Sequence, residues 1–144
     1  MNILYFDDDP CIAQNLCQTL SIYDWNVVMV SAIDQLFREL TNHQYDILIL
    51  DLMAPVPNMK NRFVNFNSSE IEAMCGGMNT GIVLAEKIWE DNNNIDFPIL
   101  FLSARRRPNE IVQFILEGRK CEYLRKPQLA KDIHATLQRL INKE

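Results

Sequence analysis

The chain has 144 residues, 48% of them hydrophobic, and a formal charge of −5 at pH 7. That length suits one domain with a real core, and the negative balance excludes a surface that binds nucleic acid non-specifically. No apolar run approaches a membrane span and none has the form of a secretory signal, so a cytoplasmic protein with no membrane contact is expected.

Charge is unevenly spread. Residues 1–104 hold 4 basic and 14 acidic side chains, and residues 105–144 hold 10 basic and 5 acidic. The last third therefore either presents a basic face or neutralises the acidic remainder. Cys11, Cys17, Cys75 and Cys121 show no C-x-x-C spacing and no neighbouring histidine pair. They read as reduced, mostly buried thiols and not as zinc ligands.

In chain order, Ile3-Leu4-Tyr5-Phe6 reads as a short buried strand ended by Asp7-Asp8-Asp9-Pro10. Proline suits the first position of a helix, and Asp9 just before it suits the N-cap. Ile12, Leu16, Thr19 and Leu20 then fall near one face of a first helix reaching about residue 21. Residues 26–30 are a second strand. Ser31, with Asp34 three residues on, begins a second helix through Leu36, Phe37 and Leu40. The third strand, Ile47-Leu48-Ile49-Leu50, is continuously apolar, as a strand buried on both faces should be. Asp51 stands at its C-terminal tip, and Pro55 forbids the strand from continuing inside a sheet.

Residues 56–77 break the pattern with four asparagines, one proline and a Gly-Gly end. Ser69-x-x-Glu72 looks like the capping box of one helical turn, stopped by Gly76-Gly77. Val56, Met59, Phe63, Val64, Phe66, Ile71 and Met74 make this stretch too apolar for a solvated linker. Those side chains need the rim of the domain or another molecule to pack against. Ile82, Leu84, Ala85 and Ile88 mark a third helix ending near Glu90, and Asp91-Asn92-Asn93-Asn94 is a loop. Residues 98–102 are a fourth strand ending at Ser103. Ile111, Val112, Ile115 and Leu116 mark a fourth helix closed by Gly118, residues 121–124 a fifth strand, and Leu129, Ile133, Leu137 and Leu140 the last helix. Strict alternation of strand and helix predicts an α/β fold with a parallel sheet and right-handed crossovers.

Chemistry-bearing residues end every strand but the second: Asp7 and Asp8, then Asp51, Ser103 and Lys126. If the strand order is 2-1-3-4-5, the doubly wound, flavodoxin-like order, the first and third strands are neighbours at the switch point. Asp7, Asp8 and Asp51 then converge. Three carboxylates so close repel, and at least one should have a raised pKa unless a cation intervenes. Hard oxygen ligands favour Mg2+ for that place.

Four stretches carry a resemblance: Ile3-Leu4-Tyr5-Phe6-Asp7-Asp8-Asp9-Pro10, Asp51-Leu52-Met53-Ala54-Pro55, Phe101-Leu102-Ser103-Ala104 and Glu122-Tyr123-Leu124-Arg125-Lys126-Pro127. Each motif alone is weak, but in this order, each at a strand end, the chain resembles the receiver domain of two-component response regulators. The resemblance covers nearly the whole chain except 56–77, which becomes an insertion between the third strand and the third helix of one receiver domain. It implies that Asp51 is the phosphoacceptor, an aspartate that forms an acyl phosphate. It implies that Asp7, Asp8, Asp51 and the backbone carbonyl of Met53 hold Mg2+. Lys126 would contact the phosphoryl oxygens. Ser103 would donate its hydroxyl to the phosphoryl group, and Tyr123 would move between exposed and buried positions with it. The Lys126-Pro127 peptide would be cis.

The implied role is that of a switch and not an enzyme. A sensor histidine kinase or a histidine phosphotransfer protein would phosphorylate it, with autophosphorylation from small donors and autodephosphorylation expected. A downstream protein target would bind the surface of the fourth helix, fifth strand and last helix. A phosphorylation-dependent dimer is a further implication, and direct nucleic-acid binding is not. Departures are the long insertion, the Arg105-Arg106-Arg107 run, Gln128 where an aromatic is common, and Arg119 where a small residue is usual. Two other readings compete. One is a haloacid-dehalogenase-like phosphatase using Asp7 as nucleophile and Asp9 as general acid. The other is a phosphorylation-independent scaffold receiver.

Overall fold

The computed structural model describes residues 1–58, 63–91 and 94–143, with the side chains of Pro10, Ile12 and Ala13 left aside. Strands β1 (Asn2–Phe6), β2 (Asn26–Val30), β3 (Ile47–Leu50), β4 (Ile99–Ser103) and β5 (Cys121–Arg125) form one sheet in the order β2-β1-β3-β4-β5. Every pairing is parallel. The order is the expected one, and the sheet is doubly wound. Side chains alternate across the strands, so the apolar runs feed two cores. Leu4, Phe6, Leu48, Leu50, Ile99 and Phe101 share one with α2 (Ile33–Asn42), α4 (Thr80–Glu90) and α5 (Asn109–Leu116). Ile3, Tyr5, Ile47, Ile49, Leu100 and Leu102 share the other with α1 (Pro10–Leu20) and α6 (Ala130–Ile141).

Helix starts differ from the sequence reading in two places. Asp9 does cap α1, its Oδ1 accepting the Cys11 N–H at 3.1 Å. Ser31 does not cap α2. The capping position falls on Ala32, which has no side-chain bond, and Gln35 Oε1 reaches back to accept the Ser31 N–H at 3.3 Å. The capping box of α3 (Ser68–Ala73) is Asn67 with Glu70, not Ser69 with Glu72. Asn67 Oδ1 accepts the Glu70 N–H at 2.8 Å and Glu70 Oε1 accepts the Asn67 N–H at 2.9 Å. Asparagine caps as well as serine does, and Glu70 of this box also pairs with Lys87, at 2.8 Å.

Two burial expectations also change. Thr19 is exposed, and Cys17 takes its place beside Leu16 and Leu20 because the helical period from Leu20 returns at 16 and 17. The cysteines are not mostly buried. Cys11 and Cys75 are exposed, Cys17 is half-buried and Cys121 buried. Burial pushes the Cys17 and Cys121 thiols up to about 11, so both are inert at neutral pH.

The long connection from β3 to α4 packs against the domain. Phe66 and Met74 are fully buried, and Phe63, Val64 and Ile71 lie against the same core. The Phe66 ring meets Phe37 of α2 edge-on at 6.4 Å, and the Lys87 ammonium of α4 lies over the ring, 5.7 Å from its centre. Phe66 thus closes the groove between α2 and α4. Val56, by contrast, is exposed. Met59, Lys60, Arg62, Asn92 and Asn93 lie outside the described residues, as does the side chain of Ile12. Among the described residues, no helix is long and apolar enough to cross a membrane.

Candidate functional site

The register of β1 on β3 pairs Phe6 with Leu50. The next residue of each strand is therefore an aspartate, and both leave the sheet at the same edge. The backbone pairing runs one residue further: the Asp7 N–H donates to Val30 O at 3.2 Å and the Asp51 N–H to Phe6 O at 3.1 Å. Asp7 and Asp51 are buried, while Asp8, which follows the turn outward, is exposed. One oxygen from each of Asp7, Asp8 and Asp51 lies within 4.8 Å of the others.

Lys126, carried to this edge by the end of β5, bridges the two buried carboxylates. Its Nζ donates to Asp7 Oδ2 at 2.6 Å and to Asp51 Oδ2 at 3.1 Å. The remaining oxygens are also engaged. Asp7 Oδ1 accepts the Asp9 N–H at 2.9 Å, Asp7 Oδ2 accepts the Tyr5 hydroxyl at 3.3 Å, and Asp51 Oδ1 accepts the Met53 N–H at 3.2 Å. An open cleft of about 380 Å³ lies beside Asp51, lined by Asp8, Asp51, Met53, Pro55, Gly77 and Met78.

Glycine is required where α4 meets the loop after β3. A Cβ on Gly81 would stand 2.3 Å from the Asp51 carbonyl oxygen and 2.7 Å from Leu52 Cα. That close approach lets the Gly81 N–H donate to Leu52 O at 2.8 Å. The Thr80 hydroxyl donates to Ala54 O at 2.7 Å, and the Ala54 N–H to Gly77 O at 3.1 Å. These bonds fix the loop after Asp51 to the start of α4.

The electrostatics follow from three carboxylates facing one ammonium. Partial loss of solvent at the crowded edge, then the charges of Asp7 and Asp51, pushes the carboxyl of the otherwise exposed Asp8 above its ordinary value. Burial works against the Lys126 charge, but the hydrogen bond to Asp7 and the charge of Asp51 outweigh it and hold the ammonium above its ordinary value. Burial and the neighbouring Asp7 keep the Tyr5 hydroxyl protonated as a donor. The donor set is all oxygen, anionic and open to solvent on one side, which fits a hard divalent cation that retains several waters.

Ser103 is fully buried at the end of β4, next to β3. Its Oγ accepts the Arg105 N–H at 3.3 Å and its carbonyl accepts the Lys126 N–H at 2.8 Å. Tyr123 is half-buried and its hydroxyl donates to the Arg105 carbonyl. The Lys126-Pro127 peptide is cis. The departures have partners too. The Arg105 guanidinium donates to Met78 O at 2.9 Å and to Asn79 Oδ1, Gln128 Nε2 donates to Arg125 O at 2.8 Å, and Arg119 lies 5.3 Å over the Trp89 ring.

The structure thus gathers Asp7, Asp8, Asp51 and Lys126 at one edge, with Met53 on the cleft and Ser103 and Tyr123 joined through Arg105. Tyr5, Asn79, Gly81 and Arg105 had gone unassigned. Tyr5 was findable, because residues two apart on a strand share a face and Asp7 follows it by two.

No protein-family model and no curated protein sequence matches the chain. Solved structures do. The receiver domain of the Francisella response regulator 1452 is 19% identical with a TM-score of 0.69, over 97% of this chain and 95% of that one. The BeF3-activated N-terminal receiver domain of Klebsiella pneumoniae RstA is 17% identical with a TM-score of 0.70, over 99% and 100%. The non-phosphorylated HemR receiver domain from Leptospira biflexa is 22% identical with a TM-score of 0.65, over 99% and 95%. The chain therefore has the response-regulator receiver fold. At these identities the likeness carries the fold, and the chemistry rests on the residues.

Proposed function

We propose that this chain is a phosphorylation-controlled switch in which Asp51 accepts a phosphoryl group. The observation that carries this is the position of Asp51: at the tip of a central strand, beside an open cleft it shares with Asp8, and tied by Lys126 to Asp7. In this reading an Asp51 oxygen attacks the phosphorus of a phosphohistidine or of a small acyl phosphate. The bond to the donor's leaving atom breaks, that atom keeps the electron pair, and an acyl phosphate forms. Bound by Asp7, Asp8, Asp51 and the Met53 carbonyl, Mg2+ would neutralise charge on the phosphoryl oxygens. Lys126 turns from the carboxylates to those oxygens. Later attack by water on phosphorus releases phosphate and restores the carboxylate.

The added charge, about −1.5 to −2, is read by groups already at this edge. Ser103 gives its hydroxyl to the phosphoryl group and Tyr123 repositions with it. The surface of α5, β5 and α6 then shifts between two populations. On this account the donor is a sensor histidine kinase or a histidine phosphotransfer protein, and the reader is a downstream protein or a second copy in a phosphorylation-dependent dimer. The setting is cytoplasmic, and the chain turns over no substrate beyond its own phosphoryl group.

The phosphatase reading fits less well. Asp9 spends its carboxylate capping α1, and Asp7 is buried with both oxygens engaged. A scaffold without phosphorylation would have no use for the Lys126 bridge or for the like charges gathered around it. Thermal unfolding tests the proposal. Beryllofluoride with Mg2+, a stand-in for the phosphoryl group, should raise the melting temperature of the wild type and leave Lys126→Ala and Asp51→Asn nearly unmoved. An equal rise in Asp51→Asn would overturn the assignment.

A further inference from the structure

Arg105 joins two parts of the molecule that sequence order keeps apart. Its N–H donates to the switch serine, Ser103 Oγ, at 3.3 Å, and its carbonyl accepts the Tyr123 hydroxyl. Its guanidinium reaches the end of the long connection, donating to Met78 O at 2.9 Å and to Asn79 Oδ1. Among the described residues no carboxylate pairs with this cation. Its side-chain partners here are neutral oxygens.

Asn79 is itself tied backward into the connection. Its N–H donates to Met74 O at 2.9 Å and its amide nitrogen to Cys75 Sγ at 3.6 Å. Met74 is fully buried in the core that Phe66 shares. Between them lies the turn Cys75–Gly77, with left-handed backbone at all three residues, and Gly77 lines the cleft over Asp51. A force on Asn79 is therefore felt by a turn at the mouth of the site.

We propose that Arg105 is a positioning residue that couples the Ser103–Tyr123 switch to the long connection, making the end of that connection a second phosphorylation-responsive surface. The inference rests on the phosphoacceptor reading of Asp51. When the Ser103 hydroxyl turns to a phosphoryl group, the Arg105 N–H loses its acceptor. When Tyr123 moves, the Arg105 carbonyl loses its donor. The new negative charge attracts a guanidinium now held only by neutral oxygens. All three changes draw Arg105 away from Met78 and Asn79, and the turn at 75–77 loses its outer clamp.

Hydrogen exchange read by mass spectrometry on the full chain tests this, with Mg2+ present and with or without beryllofluoride. Occupancy of Asp51 is followed on the same samples by fluorine NMR. In the wild type, beryllofluoride should speed exchange over residues 74–79 by about tenfold, as expected for losing hydrogen bonds to a charged donor. In Arg105→Ala the same residues should exchange at the faster rate without beryllofluoride and gain little when it binds, while Asp51 is still occupied. Asn79→Ala, which removes an acceptor and keeps the cation, should behave in the same way. The coupling is overturned if wild-type exchange at 74–79 is unmoved while beryllofluoride occupies Asp51, or if both variants exchange there at the wild-type resting rate. If fluorine NMR finds no beryllofluoride on Asp51, the phosphoacceptor reading falls and the coupling falls with it. The resting rates of the two variants need no ligand, so they separate that failure from an absent clamp.

Discussion

Asp8 bears the strain of three like charges at rest. Partial desolvation and its two neighbours raise its folded-state pKa above the unfolded value of about 4. The folded protein then holds a proton on Asp8 more readily than the unfolded chain does. Metal-free stability should therefore be greatest below about pH 4, as far as Asp8 is concerned, and decline as pH rises through the folded pKa. Asp8→Asn should lack that decline, which a series of melts in chelator resolves. At neutral pH, Asp8→Ala should be no less stable than the wild type without metal, yet lack the rise in melting temperature that Mg2+ is expected to give the wild type. A full Mg2+ response in Asp8→Ala would contradict the cation site. Gly81 sets a different limit at this scale. Gly81→Ala puts a methyl group against the backbone of Asp51 and Leu52. It should lower stability by about 1–3 kcal/mol, the range for overpacking, and a denaturant midpoint equal to the wild type would show that the loop yields freely.

Among the elements, the long connection is the one whose packing was least legible. Its apolar content said that it must bury somewhere, but Phe63, Val64, Phe66, Ile71 and Met74 carry no mark of which surface they choose. A clue lay in α4, where Val83 and Trp89 are apolar on top of the expected stripe, and eight of its eleven residues are buried. A helix apolar nearly all round needs cover on a second side, and Phe66 helps supply it. The apolar residues thus close the flank between α2 and α4, and among the described residues of 56–79 those that reach the cleft are Gly76, Gly77 and Met78. Phe66→Ala should lower stability by about 3 kcal/mol. Glu70 adds an ionic pin. Burial alone would raise its pKa, but the hydrogen bond and charge of Lys87 and the Asn67 N–H outweigh it and lower it. A depressed carboxylate stabilises the fold above its unfolded pKa, about 4.3, and that contribution fades as pH falls through the folded value. Lys87→Met should weaken this acid sensitivity, leaving the share that the Asn67 N–H supplies, and cost about 0.5–1 kcal/mol at neutral pH. Helix starts were misread at Ser31 and Ser69 because serine signals a cap only if the first turn begins beside it. At α2 the cap position falls on Ala32, which makes no side-chain bond, and at α3 Asn67 caps two residues before Ser69.

For the whole molecule, the alternation of strand and helix was enough to read a parallel sheet. The residues that end the apolar runs marked the edge at which chemistry gathers, while the strand order entered as the condition for those residues to meet. The bonds that join the tips could not be read from the sequence. Lys126 reaches Asp7 across 119 residues of chain, and Arg105 reaches Asn79 across 26, so only the folded sheet brings them together. The charge split is also a property of this scale. Several bases of the last third are committed, as in the Arg139–Glu122 pair and the Arg119–Trp89 stack. Arg106 and Arg107 remain exposed at the start of α5. A partner reading the α5, β5 and α6 surface should therefore present acidic residues, with an association rate that falls as salt rises and falls again in Arg106→Ala with Arg107→Ala. Salt-insensitive binding would count against that surface. The central claim has a more direct test, which is to find the phosphoryl group. The protein is incubated with acetyl phosphate and Mg2+, the acyl phosphate is reduced with borohydride, and the modified residue is located by peptide mass spectrometry. Modification is expected at Asp51, with none in Asp51→Asn. Modification at Asp7, or a fully labelled Asp51→Asn, would contradict it.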